Sequence, residues 1–137
     1  ATTAHRVAKL GGRRVRHDRR VAELADLCRA RVADFTPREL AVTARAVATT
    51  GVNPGTDRFL AAIAAHAPSR NFFHDFQPHD LANVAWAFAT AGGCVRRLDK
   101  DPASFTPAPS SLFAAIADAA RPKLADFDAQ NLANLAW

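Results

Sequence analysis

The residues of this chain best suited to chemistry recur at fixed places on one frame. Arg38, His79 and Gln130 each follow a Phe by three positions, in "DFTPRELAV", "DFQPHDLAN" and "DFDAQNLAN". At helical spacing the same side of each segment continues with Val42, Arg45 and Thr49, with Asn83, Trp86 and Thr90, and with Asn134 and Trp137. Arg38, His79 and Gln130 fall in a first helical turn, where unpaired backbone N–H groups favour a phosphate. An Arg offers several N–H donors, and an Asn or Gln amide both donates and accepts. Varied polar residues on a constant frame are what base-reading helical repeats present to RNA. The competing reading for Trp86 and Trp137 is packing between neighbouring units, and we expect it for both. Asn83 and Asn134 suit a base edge or a neighbouring backbone alike.

Catalytic chemistry is not expected. His74 and His79, with His66 and Cys94 further off, lack a zinc spacing and read as loop and surface histidines. There is no nucleophile elbow, P-loop or pair of catalytic carboxylates, and Asp99 and Asp101 sit in a charged loop. The chain reads as a non-enzyme with no cofactor and no metal.

The frame itself is a device for starting a helix. Thr36 suits the N-cap, Pro37 the first helical position and Glu39 the third, closing a capping box. Phe35 and Leu40 have the spacing of a hydrophobic staple, as do Phe76 with Leu81 and Phe127 with Leu132. Gln77 is a poorer cap before Pro78, with Asp80 at the third position, and Asp128 caps the last helix. Helices are predicted to start at Pro37, Pro78 and Ala129, with all three Phe buried beside their Leu partners.

A helical pattern also precedes each Phe. It places Val21, Leu24, Leu27 and Cys28 on one face, then Phe59, Leu60 and Ile63, then Leu112, Phe113 and Ile116. Pro68 and Pro122 should end or kink these helices, and Gly51 and Gly92 should stop the second helix of each pair. The three Phe are 41 and 51 residues apart, a period typical of stacked helical hairpins. The fold expected is all-α, an α-solenoid of antiparallel hairpins with about two and a half repeats in view. Its parts are a basic arm (1–16), a first repeat (17–51), a second (52–92), a charged loop (93–105) and a third repeat (106–137). The third stops in mid-pattern at Trp137, so a longer protein is expected.

Composition agrees. Thirty-two of the 137 residues are Ala, the strongest helix former, and 49% are hydrophobic. No apolar run is long enough to span a membrane. Cys28 and Cys94 form no disulfide framework and suit a reducing compartment or two free thiols. Residues 1–20 hold seven basic residues and one acid, a net +6, whereas residues 21–137 hold 11 basic and 12 acidic residues, a net −1. A basic arm on a near-neutral body suits nucleic acid or another anionic surface; the bland alternative is a solvated, disordered tail. Arg13, Arg14, Arg16, Arg19 and Arg20 are the candidate phosphate contacts.

"PHDLANVAWAFATAGG" and "AQNLANLAW", preceded by "ADF" and "SSLFAAI", resemble octotricopeptide repeats, the helical repeats of green algal organelle proteins, and the related RAP-type repeats of other protists. The resemblance covers roughly residues 17–137. The first unit departs from it, with Val42 and Arg45 where the second has Asn83 and Trp86. The opening turns "NPGTDRF" and "TPAPSSLF" match the family's Pro-Pro-Pro-Glu-Trp only in part. The resemblance implies a non-enzymatic binder of organellar RNA, either rRNA or mRNA. It implies a mitochondrial setting ahead of a chloroplast one, within a particle such as an organellar ribosome and beside other proteins. The RNA-contact candidates are then Arg38, Arg45, His79, Asn83, Gln130 and Asn134 together with the arm. Two other readings stay open: a protein-interaction scaffold, which the neutral body favours, and a free mRNA maturation or stability factor.

Deleting residues 1–20 should flatten the salt dependence of RNA binding. The slope of log K against log salt should fall by about 0.7–0.9 for every phosphate that the arm neutralises. An unchanged slope would take the arm out of the electrostatic contact.

Overall fold

The computed structural model describes residues 18–51, 54–67, 69, 71–91 and 109–136. The arm 1–16 with Arg13, Arg14 and Arg16, the segment 93–105 with Cys94, and Pro68, Gly92 and Trp137 lie outside them. The described residues are all-helical and contain no strand. They form α1 (Arg19–Ala30), α2 (Pro37–Thr49), α3 (Pro54–His66), α4 (Pro78–Thr90), α5 (Pro109–Ala120) and α6 (Ala129–Ala136). A 3-10 turn (Val32–Asp34) precedes Phe35, and a longer one (Arg121–Asp126) precedes Phe127.

The frame starts α2, α4 and α6 where expected, and the local bonds show why. The Glu39 N–H donates to Thr36 Oγ1 (3.4 Å) and the Thr36 N–H donates to Glu39 Oε2 (3.1 Å), so two orphan donors are satisfied. Before α4 the Gln77 N–H donates to Asp80 Oδ2 (3.1 Å), and in α6 the Asn131 N–H donates to Asp128 Oδ1 (2.6 Å). After α2, Gly51 takes φ 95°, a left-handed conformation open to Gly at little cost. Pro122 ends α5, and the chain continues as the 3-10 turn.

Packing sorts the helices by their place in the frame. α1 lies against α3, α2 against α4, and α4 also against α6. The α1–α3 approach is close: a Cβ on Gly55 would come within 2.5 Å of the Ala22 carbonyl oxygen. Arg58 of α3 also holds Asp26 of α1 by two bonds, 2.8 and 2.6 Å long. The core joins Leu40, Ala44 and Val47 of α2, Phe59, Leu60 and Ile63 of α3, and Leu81, Val84 and Phe88 of α4. Phe72, Phe73 and Phe76 cluster between α3 and α4, with Phe73 and Phe76 edge to face at 5.1 Å. Lys123 crosses from the second 3-10 turn and donates to the backbone carbonyls of His74 and Phe76, the latter at 2.8 Å.

One expected burial is corrected, and three apolar side chains of the predicted faces and staples stand exposed. Phe35 is only half-buried, although it does pack on the core. Leu27 is 67% exposed, because α1 turns Val21 and Ala25 inward and has one main neighbour, α3. Phe113 and Leu132 are 39% and 44% exposed, although Phe127 itself is buried. Among the described residues α1 packs mainly on α3, α5 on α4 and on the 3-10 turn that follows it, and α6 mainly on α4.

This gives a stability contrast at one frame position. Leu81 is fully buried, so Leu81→Ala should cost about 2–5 kcal/mol in urea unfolding. Leu132→Ala, at the equivalent exposed site, should cost less than about 1 kcal/mol. Equal destabilisation by both would mean that Leu132 is covered in solution.

Candidate nucleic-acid interface

The polar positions of the frame lie away from the core face of their helices. Setting Leu40 and Leu81 in the core turns Arg38, Val42 and Arg45 of α2, and His79, Asn83 and Trp86 of α4, toward the other side. Because α2 and α4 are neighbours, the two sets meet. Arg45 Nη1 donates to Asn83 Oδ1 (2.7 Å), and the Arg45 guanidinium sits over the Trp86 ring, 4.8 Å from its centroid. All three side chains are half-buried. Such a cation over an indole is favourable by about 0.5–2 kcal/mol, more as water is excluded.

The other candidate residues fall on the same helices without joining this cluster. Arg38 is exposed and has no partner among the described residues, so its charge is available. His79 Nε2 lies 2.8 Å from Oδ1 of the buried Asp80, off the line of a hydrogen bond, since that oxygen has no hydrogen-bond partner. On α6, which packs on α4, Gln130 Nε2 donates to Asn134 Oδ1 (3.2 Å). The two amides are thus paired with each other rather than with the core.

Arg19 and Arg20 belong to the first turn of α1, not to a free arm, and both are engaged. Arg19 Nε donates to Glu23 (2.7 Å). Arg20 donates to both oxygens of Asp18, at 2.7 Å to Oδ2, while its own backbone N–H is capped by Oδ1. The hydrogen bonds from Arg20 hold the Asp18 carboxyl down at about 2. Both pairs are exposed, and such pairs are weak enough for a phosphate to compete.

Sequence reasoning placed Arg45, Asn83 and Trp86 on the same side of their helices, favoured packing for Trp86, and joined none of the three to another. Their union depends on the register between α2 and α4, which no local pattern carries. Lys123 was also missed, and its amine is spent on backbone carbonyls of the second unit. A groove of about 700 Å³ between Phe73 and His74 on one side and Ala115, Asp118 and Ala119 of α5 on the other lies elsewhere. Among the described residues no three His, Cys, Asp or Glu side chains gather as metal ligands, and no helix is long and apolar enough to cross a membrane. Compared with protein-family models, with curated proteins and with solved structures, the chain finds no match.

A double-mutant cycle over Arg45→Ala and Asn83→Ala should show a coupling of about 1 kcal/mol in unfolding free energy, since a partly buried bond to a charged donor joins them. Strictly additive effects would show that the bond contributes nothing in solution.

Proposed function

We propose that this chain is an RNA-binding helical-repeat module that clamps RNA along the outward side of α2, α4 and α6. The alternation of contacts, α1 with α3, α2 with α4 and α4 with α6, supports treating the helices as successive hairpins of an α-solenoid. The observation that carries the reading is the row itself: a free Arg38, the Arg45–Asn83–Trp86 cluster, His79, and the Gln130–Asn134 amides, on neighbouring helices of one frame. Cations of this kind bind phosphate, and amides and flat groups meet bases. Placement in an organellar particle, such as a mitochondrial ribosome, rests on the octotricopeptide resemblance alone. With a body of net charge −1 outside residues 1–20, the module is better suited to hold structured RNA among neighbours than to capture a free strand unaided.

One observation favours a second reading, a protein-interaction scaffold. Phe113, Leu124 and Leu132 are exposed in the third unit. At the frame positions of Leu124 and Leu132, the earlier units bury Val32 and Phe73, and Leu40 and Leu81.

Fluorescence anisotropy with structured and single-stranded RNA separates the two readings. Arg38→Glu should weaken binding and reduce the salt slope by about 0.7–0.9. Arg121→Glu, at an exposed Arg of the 3-10 turn that pairs with Asp118, should change binding less. Absence of RNA binding at low salt, or identical effects of the two reversals, would defeat the RNA reading.

A further inference from the structure

We propose that Arg45, Asn83 and Trp86 form a ready-made stacking site for one unpaired RNA base; this rests on the RNA-binding reading above and gives it a specific place. An arginine side chain is ordinarily free to sample many rotamers, and ordering it opposes binding. Here that ordering precedes any ligand. The guanidinium sits over the Trp86 ring, its Cζ 4.8 Å from the centroid, and the bond from Nη1 to Asn83 Oδ1 at 2.7 Å ties down one of its ends. Asn83 lies 38 residues away in sequence on the neighbouring helix, so the plane is held between two units and not by α2 alone.

Two features point to a base as the occupant. The face of the guanidinium turned away from Trp86 is a flat cationic surface, and unpaired bases stack on arginine planes as they do on aromatic rings. Of the several guanidinium N–H donors, the structure commits only one at Nη1. The others have no partner among the described residues and can meet a base carbonyl or the adjoining phosphate. Bases inside a duplex are already stacked, so the site selects unpaired nucleotides. It has little preference among the four, since every base has a π face.

The test uses the whole chain and two short oligoribonucleotides of equal length, one oligoadenylate and one abasic. The parent should bind the oligoadenylate more tightly than the abasic strand. Arg45→Lys keeps the charge but loses the plane. It should weaken oligoadenylate binding by roughly five- to a hundredfold while leaving the abasic affinity and the salt slope as in the parent. Arg121→Lys, outside the row at an exposed Arg paired with Asp118, should leave both affinities unchanged, and thermal melting should show both variants folded. If Arg45→Lys binds both strands as the parent does, or loses both equally, the stacking site is overturned while RNA binding stands. If the parent binds neither strand nor a structured RNA but does bind a polyglutamate peptide, the RNA reading fails and the stacking site fails with it.

Discussion

The structure depends on covering one leucine per unit. Leu40, Leu81 and Leu132 occupy the same frame position, five residues after the Phe, yet they are 2%, 0% and 44% exposed. Burying such a side chain stabilises by about 1.5–3 kcal/mol, and a helix that opens with a Phe–Leu staple cannot supply that cover by itself. α2 gains it from α4, and α4 packs on both α2 and α6, whereas among the described residues α6 packs mainly on α4. The middle unit is accordingly the most enclosed, to the point that Pro78 and Asp80 at the start of α4 are buried with it. Placement of every other side chain follows from which helices have a neighbour on which side.

The polar row is a consequence of that packing. Once the leucines face inward, the 3.6-residue period puts positions three and four residues apart on the opposite side in each helix. Their alignment between helices is then fixed by the α2–α4 contact. Trp86 shows how packing and contact combine in one residue. Its indole rests partly against the core and partly beneath Arg45, so the two readings of that residue do not compete. Without the indole, Arg45 would have a partner in Asn83 but no supporting surface.

Local features are legible in the sequence because their causes are local. The three helix starts, the Gly51 stop and the break at Pro122 depend on residues within a turn of the event. Burial at Leu27, Phe35, Phe113 and Leu132 is not legible in that way, because it depends on how many helices flank a unit, which periodicity does not encode. For the same reason the candidate residues could be named but not assembled. Arg45 and Asn83 are 38 residues apart, and Lys123 meets carbonyls 47 and 49 residues earlier, behind no repeated pattern. The Gly55–Ala22 contact had a weak signal, a Gly inside a helical run, whose meaning appears only with the facing backbone in place.

The row is also graded along the chain, and the grading suits the RNA reading proposed above. Its two arginines, Arg38 and Arg45, both belong to the first unit, which in sequence adjoins the basic residues 1–20. The second unit contributes His79 and Asn83, and the third contributes the amides of Gln130 and Asn134. A uniform row of arginines would attract phosphate everywhere and fix no register. Placing the cations at one end lets the charge-driven contact begin there, with little information about sequence. On the same reading the neutral amides further along meet unpaired bases of the held RNA, where hydrogen-bond geometry rather than charge decides the fit. On this reading the first unit's departure from the frame, with Arg45 in place of a third tryptophan, supplies what the other two units lack: a planar cation set where the anchoring end meets the reading end.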